Sequence, residues 1–237
     1  MPHFLLESSS YIFPHPYLAD NDGFLAMGGD LSSGRLLSAY KAGIFPWYND
    51  NTPILWFSTH PRLVLFPDKL KISKSMKQLI RQNAFDVTID TSFSKVIEQC
   101  ALQKRAGQDG TWITDDLKIA FIKLHDMGFA HSVEVWEDGE LVGGLYGLAL
   151  GRVFYGESMF ALKSNASKYG FISLITLLKA KSFDMVDCQQ DTPHLRSFGA
   201  ELISKEDFHG RLKQNSLVED HRGKWTSWIG DQSTFQK

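Results

Sequence analysis

The sequence predicts a mixed α+β chain: a small loop-rich N-terminal domain over residues 1–62, then a larger domain over 63–237 with a mostly antiparallel sheet flanked by helices. Three observations carry this. Turn formers crowd the first sixty residues, among them Pro14, Pro16, Gly23, Gly28, Gly29, Gly34, Gly43, Pro46 and Pro53. From Pro61 onward apolar residues recur at strand and helix periods. One block, His131 to Gly156, reads as three successive strands around two tight turns. With 237 residues, 43% hydrophobic and 22% charged, the chain sits near the globular average, which excludes disorder as a whole.

In the first domain the one helical pattern is Arg35 to Ala42, while Asp20-Asn21-Asp22-Gly23 and Gly28-Gly29-Asp30 are tight-turn sequences. Leu63 to Phe66 then reads as a strand, and Ile72 to Gln82 as a helix with Ile72, Met76, Leu79 and Ile80 on one face. Its other face carries Lys74, Lys77 and Arg81, which with Lys69 and Lys71 form the densest basic cluster of the chain. A solvated helix face explains such a cluster as readily as a phosphate-binding one, and it is where an RNA backbone would lie. Asp86 to Asp90 alternates as a strand. Thr114 caps a helix whose stripe is Leu117, Ala120, Phe121 and Leu124, ended by Gly128. His131 to Trp136, a turn at Asp138-Gly139, Leu141 to Leu150, a turn at Gly151 and Val153 to Gly156 form the meander. Ser164 caps a helix to about Lys181, and Met185 to Gln189 follows as a strand; a polar tail after Trp228 ends the chain.

A formal charge of −2 speaks against a protein that coats duplex nucleic acid by bulk electrostatics, although 17 Phe, 7 Tyr and 6 Trp offer faces for stacking. Two cysteines, Cys100 and Cys188, build neither a disulfide framework nor a structural zinc site. The start MPHFLLESSS has no secretion-signal pattern and no run reaches about 18 apolar residues, so a cytoplasmic protein away from membranes is expected.

Elimination narrows the chemistry. Gly156-Glu157-Ser158-Met159-Phe160 begins like a nucleophile elbow but has Phe where the second glycine belongs. The eight His show no metal-ligand spacing, so no metal is expected, and Gly143-Gly144-Leu145-Tyr146-Gly147 fits neither a dinucleotide fingerprint nor a P-loop. Alternation on the last strong strand puts Asp187 and Gln189 side by side on one face with Cys188 packed behind them, a pattern that an ordinary half-exposed strand also shows. The order meander, helix, strand is similar to the acyl-CoA N-acyltransferase-like fold, whose splayed strands admit an acyl donor. The pyrophosphate loop of those enzymes is missing here, because 158–168 contains no glycine.

Longer strings carry a more specific likeness: FPHPYLADNDGFLAMGGDLS (13–32), AYKAGIFPWY (39–48), ILWFSTHPR (54–62), GTWIT (110–114), HSVEVWEDGELVGGLYG (131–147), FYGESMF (154–160), SNASK (164–168) and VDCQ (186–189). In these the sequence resembles the leucyl/phenylalanyl-tRNA–protein transferases. The resemblance implies transfer of Leu or Phe, with Met as a tolerated third, from the 3′ end of an aminoacyl-tRNA to the N-terminal Arg or Lys of a protein. That marks the acceptor for N-end-rule proteolysis, and a monomer without cofactor or metal suffices. It implies that Asp187 orients or deprotonates the acceptor amine while Gln189 donates to the reacting carbonyl. It also implies that Trp47 and Trp112 stack about the 3′ adenosine, and that Glu157 hydrogen-bonds the adenine or holds the basic acceptor. Leu145, Met159, Phe171 and Leu174 are the expected apolar pocket. Thr192 stands where the family often has Asn and can replace only one of its hydrogen bonds. Asp187→Asn is expected to lower turnover with little loss of stability. The competing readings are an acyl-CoA-dependent N-acyltransferase of small amines or peptides, and a non-catalytic module that binds RNA 3′ ends.

Overall fold

The structure is a computed structural model that describes residues 4–7, 9–103 and 111–228; Gly110 of the GTWIT string and the tail after Trp228 lie outside the described residues. The stretch before Arg62 holds more regular structure than its turn-rich composition suggests. Strands β1 (Phe4–Leu6), β2 (Phe24–Gly28), β3 (Phe45–Pro46) and β4 (Leu55–Phe57) form a four-stranded sheet in the order β1-β2-β4-β3, with α1 (Ser33–Lys41) between β2 and β3. These strands span two to five residues, too few to show a period. Trp56 holds the sheet together: it is fully buried and donates its indole N–H to the Gly28 carbonyl at 3.0 Å.

The remaining elements are β5 (Arg62–Leu65), α2 (Lys74–Arg81), β6 (Asp86–Ile89), α3 (Phe93–Ala101), α4 (Asp115–Asp126), β7 (Ala130–Glu137), β8 (Glu140–Leu150), β9 (Val153–Ala161), α5 (Ala166–Ala180), β10 (Met185–Gln189), α6 (Pro193–Ser197), β11 (Glu201–Ile203) and α7 (Lys205–Asn215). Seven strands form the second sheet in the order β11-β5-β10-β9-β8-β7-β6, antiparallel throughout except where β10 runs parallel to β9. The expected meander is β7, β8 and β9. Its first turn is set by Asp138 and Gly139, both at positive φ (51° and 80°), as a two-residue hairpin with right-handed strand twist requires.

Each face of this sheet carries a core. One packs α1, α3 and α4 against Tyr146, Leu148, Tyr155 and Met185; the other packs α2 and α5 against Leu145, Ala149, Phe154 and Val186. Thr114 caps α4 as expected, accepting from the Leu117 N–H at 3.3 Å. The cap of α5 differs from expectation: the residue before the helix is Asn165, in the left-handed region at φ 68°, and no side chain caps it. Gly143 explains the close approach of α5 to the sheet, because a Cβ there would lie 2.7 Å from the Ala166 Cβ. Among the described residues no helix is long and apolar enough to cross a membrane.

Candidate active site

Pairing between β9 and β10 extends only from Met185 opposite Val153 to Asp187 opposite Tyr155. Past that point the strands part, and a cavity of about 450 Å³ opens between them. Parallel strands are joined by a crossover, here α5, so their far ends are free to diverge. Leu145, Phe154, Met159, Phe171, Val186 and Cys188 give the cavity apolar walls, Phe45, Pro46 and Trp47 come from β3 and the residue after it, and Trp112 from the segment before α4.

Two irregularities place the polar groups. Across β8 and β9, Gly147 faces Gly156 and Tyr146 faces Ser158, so Glu157 is an extra residue with no partner. Across β5 and β10, Val64 faces Asp187 and Leu63 faces Gln189, so Cys188 is extra. Each insertion is a bulge, which re-aims side chains locally. Gln189 sits at φ 59° and donates its Nε2 to Glu157 Oε1 at 2.8 Å, at the cavity wall. Glu157 is the acidic residue among those lining the cavity. Burial pushes its carboxyl from 4.5 up to about 7, the Asp187 charge adds to the rise, and the Tyr40 hydroxyl and Gln189 amide act against it.

Asp187 is not where alternation puts it. Its side chain is on the opposite face from the cavity, fully buried, with Oδ1 2.9 Å from Arg62 Nε and Oδ2 2.9 Å from Arg62 Nη2. The expectation of one shared face is therefore corrected: Val186 and Cys188 face the cavity, and the bulge at Cys188 returns Gln189 to it. Oδ1 also accepts the Gln189 backbone N–H at 2.9 Å. Cys188 lines the cavity rather than packing behind, and burial pushes its thiol up, which leaves it protonated.

Trp47, 36% exposed, and Trp112, half-buried, both line the cavity. The segments that carry them are tied by a hydrogen bond between the Tyr48 and Thr114 hydroxyls at 2.9 Å. Leu145, Met159 and Phe171 are on the cavity wall, whereas Leu174, 1% exposed, lies in the core away from it. Three residues along a helix rotate the side chain about 60° off the Phe171 direction and advance it about 4.5 Å. Thr192 lines the cavity, but its Oγ1 caps α6 by accepting from the Leu195 N–H at 3.2 Å. Lys69, Lys71, Lys74, Lys77 and Arg81 are all exposed, and Lys69 is paired with Glu201. The Lys71 N–H bonds the Phe198 carbonyl at 2.8 Å, which fixes this basic segment beside the end of α6.

Sequence reasoning missed Arg62, Thr59, Tyr40 and His194. The signal available for Arg62 was a charged residue opening the otherwise apolar run Leu63 to Phe66. His194 lines the cavity from the first turn of α6, and burial pulls its imidazole below the usual value.

Fold and site together define an α+β protein whose sheet splits around an apolar cleft with a carboxyl and an amide at its wall. The sequence profile described as leucyl/phenylalanyl-tRNA protein transferase matches residues 64–213, and that of the same family's N-terminal domain matches 29–60. Leucyl/phenylalanyl-tRNA–protein transferases of Syntrophobacter fumaroxidans and Desulfatibacillum aliphaticivorans are 53% and 50% identical to it, covering 95% of this chain in each case and 96% and 97% of theirs. That of Saccharophagus degradans is 54% identical over 89% of this chain and 86% of its own. The chain belongs to the leucyl/phenylalanyl-tRNA–protein transferase family.

Proposed function

We propose that the cleft between β9 and β10 receives the aminoacyl end of Leu- or Phe-tRNA and passes that residue to the N-terminus of a protein. Aminoacyl transfer comes with the family; the assignment of parts to this cleft is our reading. The observation that carries it is the Gln189–Glu157 contact at 2.8 Å on the wall of an otherwise apolar cavity flanked by two tryptophans.

The reaction needs little from the protein, because the ester is already activated and an α-amine, with a reference pKa of about 7.7–8.0, is partly neutral near pH 7. Glu157, divided between its two forms near pH 7, takes a proton from the acceptor's α-ammonium. The freed amine nitrogen bonds to the ester carbonyl carbon. Nε2 of Gln189 carries two hydrogens, one given to Glu157 and one for the carbonyl oxygen as it gains charge. The bond from that carbon to the ribose oxygen breaks, the nitrogen gives up its second proton to that oxygen as the amide forms, and Glu157 releases the first to solvent. Asp187 is bonded to this chemistry through the Gln189 N–H and acts on Glu157 by its charge, and it is held by Arg62 as Asp191 is held by Arg196. Glu157 is thus the carboxyl left to meet the acceptor.

Leu145, Met159 and Phe171 take the Leu or Phe side chain, with Met tolerated through the adaptability of Met159. Shape alone separates these from β-branched residues by about 1–3 kcal/mol. Trp47 and Trp112 stack on the 3′ adenosine, and Lys69, Lys71, Lys74, Lys77 and Arg81 receive the tRNA backbone. The acceptor begins with Arg or Lys and becomes an N-end-rule substrate. A monomer in the cytoplasm, a division into 1–62 and 63–237, and an acyl-CoA N-acyltransferase-like second domain complete the reading; what supports the last is the order β7-β8-β9-α5-β10 and the split at the parallel pair. The experiment is to offer labelled Leu-tRNA with an Arg-initiated peptide and, separately, labelled acetyl-CoA. Label reaching the peptide only from Leu-tRNA upholds the reading; transfer from acetyl-CoA alone, or tRNA binding with no transfer, replaces it.

A further inference from the structure

The Arg62 side chain is buried, 1% exposed, and every contact it makes leads to the backbone of Gln189 or to the groups that wall it in. Its guanidinium forks onto both oxygens of Asp187, and Asp187 Oδ1 in turn accepts the Gln189 N–H at 2.9 Å. Its Nη1 donates to Thr59 Oγ1 at 3.2 Å, and that hydroxyl donates onward to the Gln189 carbonyl at 3.4 Å. Nη2 also donates to the Gly43 carbonyl at 3.0 Å, and the guanidinium lies between the Phe45 and Phe208 rings, 4.9 and 4.7 Å from their centroids. A planar fork fixed at so many points has one orientation.

Gln189 needs such support. At φ 59° it occupies the left-handed region, which a residue with a Cβ enters only where its surroundings hold it. Without the turn at this residue, strand alternation would carry its amide away from Glu157. The grip reaches both its N–H and its C=O, one through Asp187 and one through Thr59, and both routes start at Arg62.

We infer that Arg62 and Thr59 are positioning residues for the transfer: they hold the Gln189 backbone in its turned conformation, so that the amide stands beside Glu157 at the reacting ester. This rests on the function proposed above. Neither residue lines the cavity, so neither contacts substrate there. Their removal therefore affects kcat, through the misplaced amide, and leaves the KM for Leu-tRNA nearly unchanged. Thr59 is the sharper probe, because Val has its shape without the hydroxyl and Ser has the hydroxyl without the methyl.

The experiment has two readouts on Thr59→Val, Thr59→Ser and Arg62→Lys: kcat and KM for Leu transfer from Leu-tRNA to an Arg-initiated peptide, and hydrogen exchange of the Gln189 amide followed by NMR. The lysine of Arg62→Lys would keep the charge but could not reach Asp187 twice and Thr59 once. The inference expects kcat down about tenfold or more in Thr59→Val and Arg62→Lys, a KM within about threefold of the parent, at least half the parent kcat in Thr59→Ser, and faster Gln189 exchange wherever kcat falls. It is overturned if Thr59→Val keeps kcat within twofold, if Thr59→Ser loses as much as Thr59→Val, or if KM rises in step with the loss of kcat. Should the parent protein move no Leu at all, the proposed function fails, and the exchange data decide the grip separately: unchanged Gln189 exchange in both Thr59→Val and Arg62→Lys refutes it, and faster exchange upholds it.

Discussion

Replacing Glu157 by Gln gives the most direct check on the electrostatics of the cleft. Its carboxyl is raised from 4.5 to about 7, chiefly because burial penalises the charged form. Between those two values the folded chain holds a proton that the unfolded chain has lost, so stability falls as pH rises through the window. At about 1.4 kcal/mol for each tenfold, the full effect is about 3 kcal/mol, an upper limit because the carboxyl is on a cavity wall. For a chain of this size that corresponds to roughly 6–12 °C in Tm. Gln at 157 can accept the Gln189 hydrogen bond but does not titrate. The expected result is near-equal stability of parent and Glu157→Gln below about pH 4.5, with the variant increasingly more stable up to about pH 7 and the difference constant beyond. The assay is thermal or urea unfolding at half-unit pH steps. Parallel curves for the two proteins across the window would refute the claim that burial keeps this carboxyl half-protonated near neutrality. A second consequence follows for rate: a rise of kcat/KM with pH centred near 7 is expected in the parent and lost in the variant, leaving only the rise of the acceptor amine at about 7.7–8.0.

Asp187→Asn leaves Arg62 as a buried charge without its counter-ion, so about 3–5 kcal/mol of stability should be lost along with turnover; a folded variant with the parent's urea midpoint would contradict the buried pair. This reverses the sequence-based expectation of little destabilisation, since that expectation took Asp187 to be in a cleft. Ala at both Trp47 and Trp112 should weaken binding of an aminoacylated CCA fragment by at least tenfold, at about 1–3 kcal/mol for each stacked base, as read by fluorescence titration. Unaltered binding would remove the tryptophans from the adenosine site. Reversing charge at Lys74, Lys77 and Arg81 together should weaken full-length tRNA, flatten the salt dependence of its binding and leave the CCA fragment unaffected. A uniform loss on both ligands would point to damage elsewhere.

The sequence made legible those elements whose residues obey one period. The β7-β8-β9 meander, α4 with its Thr114 cap and α5 with its apolar face were readable because each runs long enough for burial to repeat. The four-stranded sheet of β1 to β4 was not, because strands of two to five residues show no period and its order is set by contacts such as Trp56 to Gly28. Short α6 and β11 were missed for the same reason. In the site, Trp47, Trp112, Leu145, Met159 and Glu157 came from matched strings and Phe171 from the apolar face of the helix that follows them; all line the cavity, while Leu174, placed by its helical spacing from Phe171, does not.

The position of Asp187 shows why spacing alone could not place these side chains. Alternation predicts that residues two apart on β10 share a face, and they would, had Cys188 not been inserted opposite an unbroken β5. A matching insertion at Glu157 on β9 displaces the other strand at its own pairing with β8. Neither bulge alone brings the groups together: regular β9 would have its carboxyl opposed by a β8 residue, and regular β10 would put its amide on the Asp187 face. With both, the carboxyl and the amide meet at 2.8 Å across the gap left by the parting strands. The residue that the period singled out instead becomes the buried anchor of one bulge, through its bond to the Gln189 N–H. The Glu157–Gln189 contact therefore depends on two local departures from sheet geometry, each stabilised by a side chain that faces away from the cleft or by the contact itself, and a one-residue deletion at either Glu157 or Cys188 is expected to restore regular pairing and to abolish the contact.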